Sequence, residues 1–191
     1  MSGRMGWGLG VKATLAFVIA IAIPPPALSQ PLKLIKSEVV RQATTSECGL
    51  AALAALLGAS DDYPISLSDL RQRAAALNLL TDVHIRQGFS IRELVKIAAS
   101  VGVVVEAKLI DLTDLQQQHQ PVIAWLSFAR DNSHFTVVNP GSLATGDLLL
   151  ADPTLGSRRV SKRQFMTWWA LFEGRGVILT TSGAQSRTES G

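Results

Sequence analysis

Cys48, His134, Asp152 and Gln42 are the residues of this 191-residue chain whose types and spacing suit chemistry. That chemistry is acyl transfer through a thiol. Cys48 is the only cysteine, so no internal disulfide can form. The thiolate is the nucleophile, and it is favoured at a helix N-terminus beside an imidazole. Cys48 opens the run Gly49-Leu50-Ala51-Ala52-Leu53-Ala54-Ala55-Leu56-Leu57, which is strongly helical and wholly apolar. Such a helix lies in the core and holds its first turn rigidly. Taken by itself, Cys48 reads equally well as a small buried hydrophobe.

Gln42 lies six residues upstream, across the polar stretch Ala43-Thr44-Thr45-Ser46-Glu47. That stretch must turn to feed the helix, which can bring the carboxamide beside the thiol. A carboxamide N–H together with the backbone N–H of Cys48 would then stabilise a tetrahedral oxyanion.

His134 and Asp152 flank a hairpin whose turn, residues 139–146, is rich in turn formers and centred near Leu143. Antiparallel strands related about residue 143 pair positions whose numbers sum to 286, as those of His134 and Asp152 do. The spacing therefore predicts cross-strand neighbours with Cβ atoms about 5 Å apart. A carboxylate so placed fixes the tautomer and orientation of the ring, whose other nitrogen exchanges a proton with the thiol. A slip of one residue would send the two side chains to opposite faces. The plainer reading is a surface histidine and a turn-forming Asp152-Pro153.

His119 lies in a glutamine-rich loop and His84 in a polar connection, with no acid set opposite either by a hairpin. Both read as solvated surface residues. One cysteine and three scattered histidines show no metal-ligand spacing, and no cofactor is indicated. Trp168 and Trp169 follow Phe165 and read as core, with one tryptophan alternatively walling a substrate groove.

Several elements must position these groups. Helices are expected over Ser46–Leu57, from Ser66 or Ser68 to Leu77, and over Ser90–Ser100, the last opening with the capping box Ser90-x-x-Glu93. Strands are expected over Val103–Leu109, Val122–Phe128, Phe135–Val138, Leu148–Ala151 and Val177–Thr180, with a short helix over Ser161–Trp169 before the last. Helices first and antiparallel strands second make an α+β order.

Residues 1–29 read as a secretory signal: Arg4 and Lys12, an uncharged run from Ala13 to Ile23, three prolines, then Ala27-Leu28-Ser29 before Gln30. An uncleaved anchor is the alternative, and either way contact with a membrane is confined to this segment. Two of the three net positive charges belong to it, so the remaining domain, 30–181, is near neutral. Arg158, Arg159, Lys162 and Arg163 form the sole basic group, in a loop and the first turn of a helix, without interleaved aromatics. Nucleic-acid binding is therefore not indicated. The tail, 182–191, is small and polar and reads as disordered.

The run Gln42-Ala43-Thr44-Thr45-Ser46-Glu47-Cys48-Gly49, then Ser133-His134-Phe135-Thr136-Val137-Val138 and Ala151-Asp152-Pro153-Thr154-Leu155-Gly156, resembles the bacteriocin-processing peptidase family C39. Gly88-Phe89-Ser90-Ile91, with Leu94, Ala98 and Gly102, extends the likeness, which covers about Val39 to Thr180. The resemblance implies a papain-like cysteine peptidase fold with N-terminal helices packed on a C-terminal antiparallel sheet. It gives Cys48 as nucleophile, His134 as imidazole, Asp152 as carboxylate and Gln42 as oxyanion donor. Glu47 departs from the family's usual aspartate, keeping the charge on a longer side chain.

Many members are N-terminal domains of transporters that cut leader peptides after Gly-Gly, but no P-loop motif occurs here. The expectation is a periplasmic or secreted peptidase acting on an exported polypeptide, with a secretion-system component as a possible partner. Two rivals stand beside it. One is a non-catalytic substrate-binding module of a secretion system; the other is amidation or ligation by the same residues.

Overall fold

The computed structural model describes residues 39–58, 65–129 and 132–182. The expected signal segment and tail lie outside the described residues, except Ser182. Six helices and six strands run in the order α1 (Cys48–Gly58), α2 (Leu67–Ala76), α3 (Asp82–Gln87), α4 (Ile91–Ser100), β1 (Val105–Ile110), α5 (Leu112–Gln116), β2 (Val122–Ala129), β3 (Asn132–Asn139), a 3-10 helix (Pro140–Thr145), β4 (Asp147–Asp152), β5 (Gly156–Ser161), α6 (Lys162–Trp169) and β6 (Gly176–Thr181).

The strands form one antiparallel sheet in the order β1-β6-β2-β3-β4-β5. Alternation along each strand sends successive side chains to opposite faces. Ile123, Val137 and Leu179 accordingly join α1, α2 and α4 in one core, whereas Val122, Ala124, Val138 and Ile178 join Leu115 of α5 and Phe165 and Trp169 of α6 in the other. The N-terminal helices thus pack on the sheet as expected, and the later short helices cover its opposite face.

Helix α1 is buried from Cys48 to Leu57 because it lies between α2, α4 and strands β2 to β4. Leu50, Leu53 and Leu57 are fully excluded from solvent, and each such burial contributes about 1.5–3 kcal/mol before entropy is counted. Helices α2 and α4 both open with reciprocal capping boxes, Ser66 with Asp69 and Ser90 with Glu93. These boxes satisfy backbone donors that would otherwise have no partner.

Two expectations need correction. Residues 82–87 form α3, where a polar connection was expected, and residues 112–116 form the short α5. Residues 156–161 form the edge strand β5, so Arg158 and Arg159 lie on a strand rather than in a loop. Among the described residues, no helix is long and apolar enough to cross a membrane.

Candidate active site

Cys48 is the first residue of α1, two positions later than the helix start expected at Ser46. The Ser46 hydroxyl meets that of Thr44 at 3.2 Å. Glu47 organises the approach instead. Its Oε2 accepts from the backbone N–H groups of Ala43 (3.1 Å) and Thr44 (3.2 Å), while Arg71 of α2 grips the carboxylate through Nε (2.6 Å) and Nη2 (2.7 Å). The Arg71 hydrogen bonds hold the Glu47 carboxyl below its ordinary range against the opposing effect of burial. Gly49 is pressed between α4 and β3: a Cβ there would stand 3.1 Å from Leu94 Cδ1 and 3.3 Å from Phe135 Cδ2.

The loop carrying Gln42 is stitched to the turn between β4 and β5. The Gln42 N–H donates to the Pro153 carbonyl (3.2 Å), and the Arg41 guanidinium donates to that of Thr154. Gly156 closes this turn at φ +87°, and a Cβ there would lie 2.8 Å from Arg41 Nη2. Glycine meets both requirements at once. On the other side Gly88, at φ +78°, lets the α3–α4 connection reach the Ser46 carbonyl, which a Cβ would approach to 2.8 Å. The segment before the thiol is therefore braced by three elements.

His134 Nε2 lies 3.0 Å from Asp152 Oδ2. The expected direct register does not hold: β3 and β4 pair Val137 with Ala151, Val138 with Leu150 and Asn139 with Leu149, numbers summing to 288. The 3-10 helix Pro140–Thr145 and Gly146 move the centre of the turn by one residue. That changes the sum by two and preserves parity, so the pair meets diagonally on one face rather than directly across.

Asp152 is itself aimed by the turn that follows, its Oδ1 accepting from the N–H groups of Thr154 and Leu155, both at 2.9 Å. Burial raises the Asp152 pKa, but the bonds to His134 and to these amides outweigh it and leave the pKa lowered. Burial likewise pulls His134 down, yet its hydrogen bonds to Asp152 and to the Cys48 thiol lift it to about 9. With Nε2 on the carboxylate, Nδ1 is the nitrogen left for the thiol.

Gln42, Thr45, Ser133, His134 and Asp152 line a cavity of about 270 Å³, together with Phe128, Thr154 and Leu155. The Gln42 carboxamide oxygen is buried there without a hydrogen-bond partner. All four residues singled out in the sequence thus converge, three around this cavity and Cys48 on the His134 ring.

One other reading changes. His84 is not solvated: its Nε2 lies 2.8 Å from Glu93 Oε1, its Nδ1 2.8 Å from Thr81 Oγ1, and its ring packs on Phe89. Its acid comes from the capping box of α4 rather than from a hairpin, and so escaped a search for facing strands. Trp169 is fully buried, whereas Trp168 is half-buried, with its ring set edge-on to Phe128 at 4.9 Å. His119 is exposed. Among the described residues no group of three or more His, Cys, Asp or Glu is arranged to hold a metal.

Residues 36–184 match the sequence profile of the peptidase C39 family. The chain belongs to that family. The probable functional amyloid protease FapD of Pseudomonas aeruginosa is 27% identical over 148 residues, or 77% of this chain. The match spans 61% of that relative's length. The peptidase domain of Streptococcus ComA, a bifunctional ABC transporter, superposes with a TM-score of 0.60 at 23% identity, covering 76% of this C39 chain and 97% of that domain. A double-glycine-motif protease from an AMS/PCAT transporter, solved with its leader peptide, gives 0.56 at 20% identity, covering 75% and 89%. These superpositions show the α+β, papain-like fold of C39 peptidase domains.

Proposed function

We propose that the chain is a cysteine peptidase that cuts an exported polypeptide, with Cys48 as nucleophile, His134 as proton carrier, Asp152 as orienting carboxylate and Gln42 as oxyanion donor. The observation that carries this reading is the imidazole held between the Cys48 thiol and a buried carboxylate. Because His134 keeps its proton up to about pH 9, the ring stands ready at neutral pH to protonate a departing amine.

The thiolate adds to the scissile carbonyl, and the oxyanion is received by the Cys48 backbone N–H and the Gln42 carboxamide. His134 then gives its proton to the departing amine, leaving a thioester on Cys48. Water, deprotonated by the same ring, breaks the C–S bond and releases the acid. The place of Gln42 in the lining of the cavity that holds His134 and Asp152 supports its part in this sequence.

Export through residues 1–29, a domain over 30–181 and a free tail complete the proposal. A periplasmic or secreted setting follows from that segment, and the likeness to a probable functional amyloid protease of Pseudomonas aeruginosa favours an amyloid-forming polypeptide as the substrate. The discriminating test is alkylation by iodoacetamide near neutral pH. Cys48 should label far faster than free cysteine and lose that advantage in His134→Ala. Labelling no faster than free cysteine would instead favour a module that binds without cutting. An exported polypeptide that changes size in cells carrying Cys48→Ala identifies the substrate.

A further inference from the structure

We propose that the residue just after the scissile bond rests on an apolar shelf formed by Phe128 and Leu155, which selects an apolar side chain at that position. The inference rests on the peptidase reading and deepens it. Microscopic geometry fixes the direction: the imidazole protonates the leaving nitrogen, so the polypeptide released with a new N-terminus must lie on the His134 side of the cleft.

The surface on that side is unusual. Phe128 is 40% and Leu155 58% exposed, and both line the cavity that holds His134 and Asp152. Lone exposed apolar residues mean little, but two converging beside the same ionic pair form a recognition feature.

Phe128 is placed there by the backbone. Strands β2 and β3 pair Ser127 with Ser133 and then Ala129 with Asn132, so Phe128 is the extra residue of a β-bulge. Bulges beside active sites re-aim a side chain. The ring is turned to within 5.9 Å of the His134 ring, centroid to centroid. Trp168 supports it edge-on from α6, and Arg158 caps Trp168 with its guanidinium 5.4 Å from the ring centre. A fixed aromatic of this kind offers contact area at little entropic cost.

Aminolysis of the thioester reads the shelf without a known substrate. Acetyl-glycylglycine thioethyl ester is a small acyl donor: the Cys48 thiolate displaces ethanethiol and carries the acyl group. An added amine then attacks the carbonyl, the C–S bond breaks to return the thiolate, and the ammonium proton passes to His134. Leucinamide should capture the acyl group about tenfold better than glycinamide, judged against hydrolysis in the same tube. That preference should fall toward one in Phe128→Ala and in Leu155→Ala, the second deciding the matter if the first fails to fold by melting.

Equal capture of the two amides by the native chain, capture of neither, or a preference unchanged in both folded variants overturns the shelf while leaving the peptidase reading intact. Failure of the native chain to release ethanethiol instead overturns the peptidase reading itself, and the shelf with it.

Discussion

Among the described residues, two imidazole–carboxylate pairs have nearly equal geometry. In one, His134 Nε2 meets Asp152 at 3.0 Å; in the other, His84 Nε2 meets Glu93 at 2.8 Å, and both rings are largely covered. Each ring also offers Nδ1 to a potential nucleophile, the Cys48 thiol in the first case and the Thr81 hydroxyl in the second. The difference lies in what surrounds the third group. Cys48 opens a buried helix, and Gln42 lines the cavity that holds its imidazole. Thr81 is the N-cap residue of the six-residue α3, which has no buried residues, and its hydroxyl ties the ring down instead of capping the helix. A histidine held by an acid can thus be a plain structural fastener, and under the proposed reading it is the rigid thiol and the Gln42 carboxamide that would convert the first pair into a catalyst.

The comparison breaks most sharply at the nucleophile. Cys48→Ala should reduce peptide hydrolysis on the order of a millionfold, whereas Thr81→Val should leave turnover within about threefold, a value set by loss of one surface hydrogen bond. Comparable losses in both variants would erase the distinction. The next largest effect separates the acids. Asp152→Asn should lower kcat by about ten-thousandfold through the wrong tautomer, while Glu93→Gln should spare kcat and cost about 1.5–3 kcal/mol in denaturant unfolding.

Gln42→Ala sharpens the role of the surroundings, with an expected loss of about a hundredfold to a thousandfold in kcat and little change in KM. Smallest is the effect of pH on stability, read from melting temperatures. His134, lifted from 6.5 to about 9, stabilises the fold fully below 6.5 and loses that contribution as pH rises through about 9. Glu93, lowered from 4.5 to about 2, stabilises it above 4.5 and loses that contribution as pH falls toward about 2. His134→Ala should remove the alkaline dependence, and Glu93→Gln the acid one.

Most of the α+β framework was legible in the sequence because it rests on local signals. Ser90 and Glu93 announce α4, the apolar run after Cys48 announces α1, and runs of β-branched and aromatic residues announce the central strands. Strand β5 was hidden because Ser157, Arg158, Arg159 and Ser161 give it a polar outer edge with little beyond Val160 to mark burial. Helices α3 and α5 span six and five residues, too few for a helical period to stand out. The His134–Asp152 face was readable because parity survives a shift of two in the paired numbers; direct pairing was not, since a turn rich in formers does not disclose that it coils into a 3-10 helix. The stitching of Arg41 and Gln42 to residues 153–154 had no sequence signal at all, because those contacts join a guanidinium and a backbone amide to carbonyls more than a hundred positions away.

Glu47 draws the first two helices into a shared fate. Its carboxylate spans from the amides of Ala43 and Thr44 to the fork of Arg71, a reach that an aspartate, one methylene shorter, would not bridge from the same backbone position. Glutamate here and arginine on α2 therefore act as one unit: changing either alone strands a charge beside the loop that leads into Cys48, so their substitutions should not add.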